Sequence, residues 1–276
     1  MTPNEQLPVV SVITISYRDA TGLHATVDSV RSQSYPHIEH IVIDGGSGDH
    51  VASYLRTQQH LRYWQSKPDG GRYDAMNQGS DHASGDILWW LHSGDTFADA
   101  DAVQCAVTAL SKNGTRAVAD RWGYGKVMRR LDGAPLGQWG YMPFDRTRFA
   151  LGIRPIPHQA ALIGREIYVS LGGYDTDFGL AADQLFMLRA ALMAEPDLVP
   201  AVLTDFDASG VGSVRPQSQH FADVRRAWDI AGFYPYGSRG KSRLLSFWVE
   251  WTARTKAAIK RPARGLARLL DRRNSR

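Results

Sequence analysis

Three runs of apolar residues end in clusters of hydroxyls, glycines and carboxylates. VVSVITIS (9–16) runs into Ser16-Tyr17-Arg18-Asp19, HIVID (40–44) into Asp44-Gly45-Gly46-Ser47-Gly48-Asp49, and DILWWLHS (86–93) into His92-Ser93-Gly94-Asp95. In an open α/β sheet such ends share one edge, and ligands bind there. Asp44 and Asp95 then face one cleft. Two carboxylates so placed suit Mg²⁺ or Mn²⁺ held with a diphosphate, since hard cations take oxygen ligands. One of them could instead bond a nucleobase or ribose. Asp49 and Asp99 read as helix caps, whereas Asp44 and Asp95 precede turns, so capping explains them less well. Between them lies KPDGGRYDAMNQG (67–79), a glycine-rich turn leading into a helix. The glycine-rich turns lack GxxxxGK[ST], and GxGxxG does not follow the first strand, which disfavours a classical dinucleotide fold.

The elements that must position these residues alternate. The first run is uncharged and β-branched, as a buried parallel strand requires. GLHATVDSVRSQS (22–34) places Leu23, Val27 and Val30 on one helical face. Helices are expected at 51–59, 74–83 and 99–112, with strands at 40–44 and 86–93. This order predicts an α/β fold with a largely parallel sheet. Beyond residue 115 the pattern changes. A hairpin is expected over 124–139 with Asp132-Gly133 at its turn. QAALIG (159–164) and LVPAVLTDF (198–206) read as strands. Residues 182–194 read as a helix with Leu185, Leu188, Leu192 and Met193 at helical spacing. The Gly/Ser/Pro-rich segment 208–220 reads as a loop.

The chain has 276 residues, of which 43% are hydrophobic and 22% charged, so its body is neither disordered nor fibrous. A single cysteine, Cys105, excludes an intrachain disulfide and a Cys-based zinc site. The first residues, MTPNEQLPVV, lack the basic and apolar regions of a signal peptide, and no window of about 18 apolar residues reads as a membrane span. The expected location is the cytoplasm, at the inner face of the cell membrane. Net charge is +4, yet residues 239–276 carry 12 Lys/Arg against 2 acidic residues, which leaves −6 on the remainder. An acidic body argues against nucleic acid as a partner. In the tail, Leu244, Trp248, Trp251, Thr255 and Ile259 share a helical face, with Arg243, Arg254, Lys256 and Lys260 mostly off it. Leu266, Leu269 and Leu270 repeat the theme after Pro262. A basic amphipathic helix with tryptophans suits an anionic membrane surface. The alternative is a helix packed on the body with a solvated basic face.

VSVITISYR, IVIDGGSGD, DGGRYDAMNQG and GDILWWLHSGD, in this order and spacing, resemble glycosyltransferase family 2. PHQAALIGREIYVSLGGYD (157–175) resembles the acceptor-side strand and helix of its short, non-processive bacterial branch, which makes polysaccharides and glycolipids. AADQLFMLR (181–189) resembles the segment carrying the catalytic aspartate, and GVGS (210–213) the glycine-serine loop that follows. The resemblance covers roughly residues 9–220. It implies a GT-A fold over 1–238, with 239–276 as a separate basic tail. It implies a nucleotide-diphosphate sugar donor (UDP, GDP or dTDP), a glycan or glycolipid acceptor and a divalent metal, Mn²⁺ or Mg²⁺. Position by position, Ser16 and Tyr17 would approach the nucleotide mostly through backbone and Asp44 would bond the base. Asp69, Arg72 and Asn77 would line the donor cleft. Asp95 would be the last Asp of the metal-binding DxD motif, and Asp183 the general base of an inverting transfer.

The chain departs from the pattern at Ser93-Gly94-Asp95, where the first acidic position is missing. His220, after the glycine-serine loop, is a candidate second metal ligand, and His158 a candidate contact to acceptor or donor. Leu185 stands where relatives place a second acid. Aromatic residues between 116 and 157 could hold a sugar or lipid, or could be core. A nucleotidyltransferase would need a basic triphosphate loop after the first strand, and a processive synthase would need membrane spans and QxxRW; neither is present. The non-enzyme alternative is a degenerate sugar-nucleotide-binding module or membrane adaptor.

Overall fold

The β-branched run at the start forms strand β1 (Val10–Ser16), buried along its whole length. A computed structural model describes residues 7–112, 116–131, 133–208 and 216–255. After β1 come α1 (Ala20–Arg31), β2 (Ile38–Asp44), α2 (Asp49–Thr57), β3 (Tyr63–Ser66), α3 (Arg72–Asp81), β4 (Ile87–Trp90), β5 (Thr96–Phe97) and α4 (Ala102–Lys112). The second half holds β6 (Trp122–Leu131), β7 (Ala134–Trp139), α5 (Arg146–Ala150), β8 (Ala161–Gly164), α6 (Arg165–Leu171), α7 (Ala182–Met193), β9 (Asp197–Asp207) and α8 (Gln217–Ala231). A helix over 239–255 follows. No described helix is long and apolar enough to cross a membrane.

The strands form one sheet in the order β3-β2-β1-β4-β8-β6-β9-β5, with β7 paired to β6. β3, β2, β1 and β4 are mutually parallel. β8 runs antiparallel to β4 and β6, and β6 is parallel to β9. Alternation along β1 splits the core. Ile13 and Ile15 face a layer containing α3, α6, α7 and α8. Val10 and Val12 face a layer built on α4. Both faces are therefore covered, as a parallel sheet demands.

Several expected boundaries move. α3 begins at Arg72 because Gly71, at φ +104°, makes the turn that starts it. α4 begins at Ala102; Asp99 accepts the Asp101 N–H and so makes a turn ahead of the helix. β4 ends at Trp90, although the Leu91 and Ser93 N–H groups still bond to Ile13 and Ile15 of β1. The hairpin is present as β6–β7. The expected loop over 208–220 is overturned at its end, since α8 starts at Gln217, behind Pro216. GVGS (210–213), Asp132, Ile259 and the residues from Lys256 onward lie outside the described residues.

Candidate active site

Register places the site. Ser16, Asp44 and Ser66 lie in one row across β1, β2 and β3. Asp44 is fully buried. Its Oδ1 accepts the Ser47 hydroxyl, and its Oδ2 accepts the Ser66 hydroxyl (2.6 Å) and the Ser47 and Gly46 N–H groups. Four donors occupy the acceptor capacity of a carboxylate. Asp44 thus shapes the β2 loop, and a base contact would have to share these oxygens. Ser16 Oγ, by contrast, is closed to solvent and has no hydrogen-bond partner among the described residues. The Tyr17 ring is 59% exposed, with the Arg18 guanidinium 4.9 Å from its centre, so its side chain as well as its backbone is offered to the cleft. Asp69 Oδ1 accepts the Gly71 N–H, and its carboxylate packs against Gly45. A cavity of about 800 Å³ opens beside it, along β3 and α3.

Asn77 is committed to packing. Its amide nitrogen donates to the Tyr174 carbonyl, and its Oδ1 accepts the Tyr174 N–H and the Tyr168 hydroxyl. It clamps α3 to the segment after α6. Arg72, one turn earlier, forms no ion pair among the described residues. Its charge acts on Asp95, His92 and His158.

The Ser93-Gly94-Asp95 turn is pinned from α1. The Thr26 hydroxyl donates to the Asp95 carbonyl (2.7 Å) and accepts the Gly94 N–H. β5 pairs antiparallel with β9, with Thr96 opposite Asp205. Continued past the pair, this register brings Asp207 beside Gly94. The Asp207 N–H donates to Asp95 Oδ1 at 3.1 Å. Oδ2 of Asp19 and of Asp207 lie 3.6 and 4.0 Å from where a Cβ on Gly94 would stand. Hard oxygen donors therefore gather at this turn, and Asp207 is the one that sequence reasoning missed. No group of three metal-ligating side chains forms among the described residues, so a cation at this turn would need ligands beyond those side chains.

Asp183 stands in the first turn of α7. Its Oδ1 accepts the Tyr73 hydroxyl (3.1 Å) and the Gln184 N–H (2.9 Å). Burial and the neighbouring Asp183 charge hold the Tyr73 phenol protonated, so it remains a donor. His158 is buried, its Nε2 3.3 Å from the Tyr174 hydroxyl. It lies within reach of both the Asp183 and Arg72 charges. The structure thus brings Arg72, Asp95, His158 and Asp183 to one region. His220 stands in the first turn of α8, with its Nε2 3.2 Å from the Gly152 carbonyl. Of the aromatic residues between 116 and 157, Trp122, Tyr124 and Phe149 are core, whereas Tyr141 is exposed.

Burial keeps three histidines neutral. His40 is pushed down to about 3, His158 to about 4, and His92 well below the usual histidine range. In the unfolded chain each takes a proton below about pH 6.5. The unfolded state then binds more protons, so stability falls as pH drops from 6.5 toward 4. Asp95 works oppositely: burial raises it to about 8, so the folded state holds a proton there that the unfolded state has lost. Three groups outweigh one. Without added divalent cation, the urea midpoint should be lower at pH 5 than at pH 7; an equal or higher midpoint at pH 5 would contradict neutral burial.

A family model described as glycosyl transferase family 2 matches residues 11–169. An uncharacterized glycosyltransferase of Mycobacterium tuberculosis (strain H37Rv) is 53% identical over 84% of this chain and 87% of that protein. A PGL/p-HBAD biosynthesis glycosyltransferase of the same strain is 29% identical over 70% of this chain and 72% of that protein. Among solved structures, S. aureus TarS in complex with UDP-GlcNAc aligns with a TM-score of 0.63 at 16% identity, covering 79% of this chain and 65% of that one. Mannosyltransferase PcManGT from Pyrobaculum calidifontis, in complex with GDP-Man and Mn²⁺, aligns with a TM-score of 0.58 at 20% identity, covering 95% and 81%. At these identities the two structures establish a shared GT-A fold.

Proposed function

Because the chain belongs to glycosyl transferase family 2, we propose that it moves a sugar from a nucleotide-diphosphate sugar to a hydroxyl of a glycolipid, lipid-linked glycan or polysaccharide, inverting the anomeric carbon. The observation that carries this reading is that three separate elements bring their charges within reach of one another, the Arg72 charge acting on both Asp95 and His158 and the Asp183 charge acting on His158. Ser16, Tyr17 and Asp69 meet the nucleoside, with the exposed Tyr17 ring available to stack on a base. Arg72 meets the diphosphate, where a cationic fork suits phosphate oxygens. Asp95 and Asp207 would hold Mn²⁺ or Mg²⁺, and Asp207 from β9 makes good the acid missing at Ser93. A cation bound there would neutralise charge on the departing diphosphate.

Asp183 takes the proton of the acceptor hydroxyl as that oxygen attacks the anomeric carbon. The bond from sugar to diphosphate breaks with its electron pair on the leaving group. Tyr73 and the Gln184 N–H occupy Oδ1, which aims Oδ2 at the acceptor. His158, neutral and buried, lines the wall between base and donor. The acceptor class is supported by the PGL/p-HBAD relative and by the basic tail.

The test is donor turnover by purified protein with UDP-, GDP- and dTDP-sugars, in Mn²⁺, Mg²⁺ or EDTA. Metal-dependent release of one nucleoside diphosphate is expected. Serine at position 93 favours the degenerate-module alternative. The binding module prevails if a nucleoside diphosphate binds but no donor turns over with or without acceptor, and the membrane adaptor prevails if none binds.

A further inference from the structure

A surface helix ordinarily turns its apolar stripe toward the core and its charges toward water. The helix over 239–255 does the reverse. Its buried residues are Ser242, Ser246 and Glu250, flanked by half-buried Leu245 and Val249. Arg225 of α8 satisfies that buried face, donating to Glu250 Oε2 at 2.9 Å and to the Ser246 hydroxyl at 3.2 Å. Arg239 and Arg243 pair with Asp229 of α8. The outward face is Leu244 (73% exposed), Trp248 (63%) and Trp251 (63%), with Phe247 (53%) at its border, where the Arg225 guanidinium lies 4.3 Å from its ring centre. These are positions i, i+3, i+4 and i+7, so the four side chains form one stripe. The spacing alone shows a stripe; only the ion pairs to α8 show that it points outward.

We propose that this stripe docks the protein on an anionic membrane. A contiguous apolar surface of this kind marks an interaction site, and tryptophan rings favour the level of lipid headgroups. Charge selects the occupant. Residues 239–276 carry 12 basic and 2 acidic residues, and one of those acids, Glu250, is turned inward and paired with Arg225. A second copy docking stripe to stripe would bring two segments of net +10 together, whereas a bilayer of anionic lipid attracts each of them. α8 packs against α7, so the docked helix lies two layers from Asp183. Docking of this kind does not depend on which acceptor the site uses.

The test uses the full chain and vesicles of phosphatidylcholine alone or with 30% phosphatidylglycerol. Wild-type protein should sediment with the anionic vesicles, with a blue shift of tryptophan fluorescence, and binding should weaken as added salt screens the charges. Trp248→Ala/Trp251→Ala should lower partitioning by roughly tenfold or more. Both residues are exposed, so the variant should keep its circular dichroism spectrum and its vesicle-free donor turnover. Equal binding to neutral and anionic vesicles, or a double variant that binds like wild type, would overturn the proposal. So would a dimer in light scattering that the double substitution dissolves, which would assign the stripe to a second copy.

Discussion

Asp183→Asn should lower turnover by about 10²–10⁴ while donor affinity stays near wild type. The asparagine still accepts the Tyr73 hydroxyl and the Gln184 N–H at Oδ1, so local structure survives and only the proton acceptor at the second oxygen is lost. An effect confined to the chemical step appears as a fall in kcat with little change in KM. Tyr73→Phe is the companion. It removes the hydroxyl whose single proton is shared between Asp183 Oδ1 (3.1 Å) and the Leu180 carbonyl (3.0 Å), leaving the carboxylate charged but less well aimed. Its loss should be smaller, on the order of tenfold, because a positioning group contributes orientation rather than the proton transfer itself. Near-normal turnover by Asp183→Asn would remove Asp183 from the mechanism. Equal losses in the two variants would mean that positioning, and not basicity, is what the pair supplies.

Much of this arrangement is legible in the sequence, and the parts that are not share a cause. β1 announces itself as an uncharged, β-branched run buried along its length, and β2 and β4 as short apolar runs that end in turn residues. β3, YWQS, has one buried position and no apolar run, and β5 has two residues, so neither shows a pattern. Their existence depends on neighbours, and β5 matters most because its antiparallel pairing with β9 delivers Asp207 to Asp95 across 112 positions of sequence. No local pattern encodes that contact. Side-chain direction is likewise hidden. A motif names Asp44 and Asn77 as cleft residues, whereas the structure gives Asp44 four internal donors and ties Asn77 to Tyr168 and Tyr174. Arg72, in the same motif, keeps its guanidinium unpaired among the described residues. The C-terminal stripe is the third case. Its spacing is plain in the sequence, whereas its outward orientation follows from Arg225 and Asp229, which hold the opposite face against α8.

Asp95→Asn should abolish most metal-dependent turnover, by about 10³ or more if the cation supplies the several kcal/mol expected of charge neutralisation at a departing diphosphate. Asparagine is preferred to alanine because its amide oxygen can still accept the Asp207 N–H at the 3.1 Å contact, so the turn keeps its shape and loses a charge. Asp207→Asn tests the other half of the pair. It retains the backbone N–H and removes the second carboxylate, and should weaken Mn²⁺ affinity by about 10–100-fold, the scale on which supporting groups at a metal site act. The readout is Mn²⁺ titration followed by electron paramagnetic resonance, with nucleoside diphosphate present to supply the remaining oxygens, so that binding is measured apart from catalysis. If Asp207→Asn binds Mn²⁺ like wild type while Asp95→Asn does not, Asp95 is the sole protein ligand and Asp207 only braces the turn through its backbone. If neither substitution changes Mn²⁺ affinity, the carboxylates around Gly94 are not the metal site, and the charge on the leaving diphosphate must be met by Arg72 instead. Arg72→Gln then becomes the more damaging substitution, and turnover should persist in EDTA.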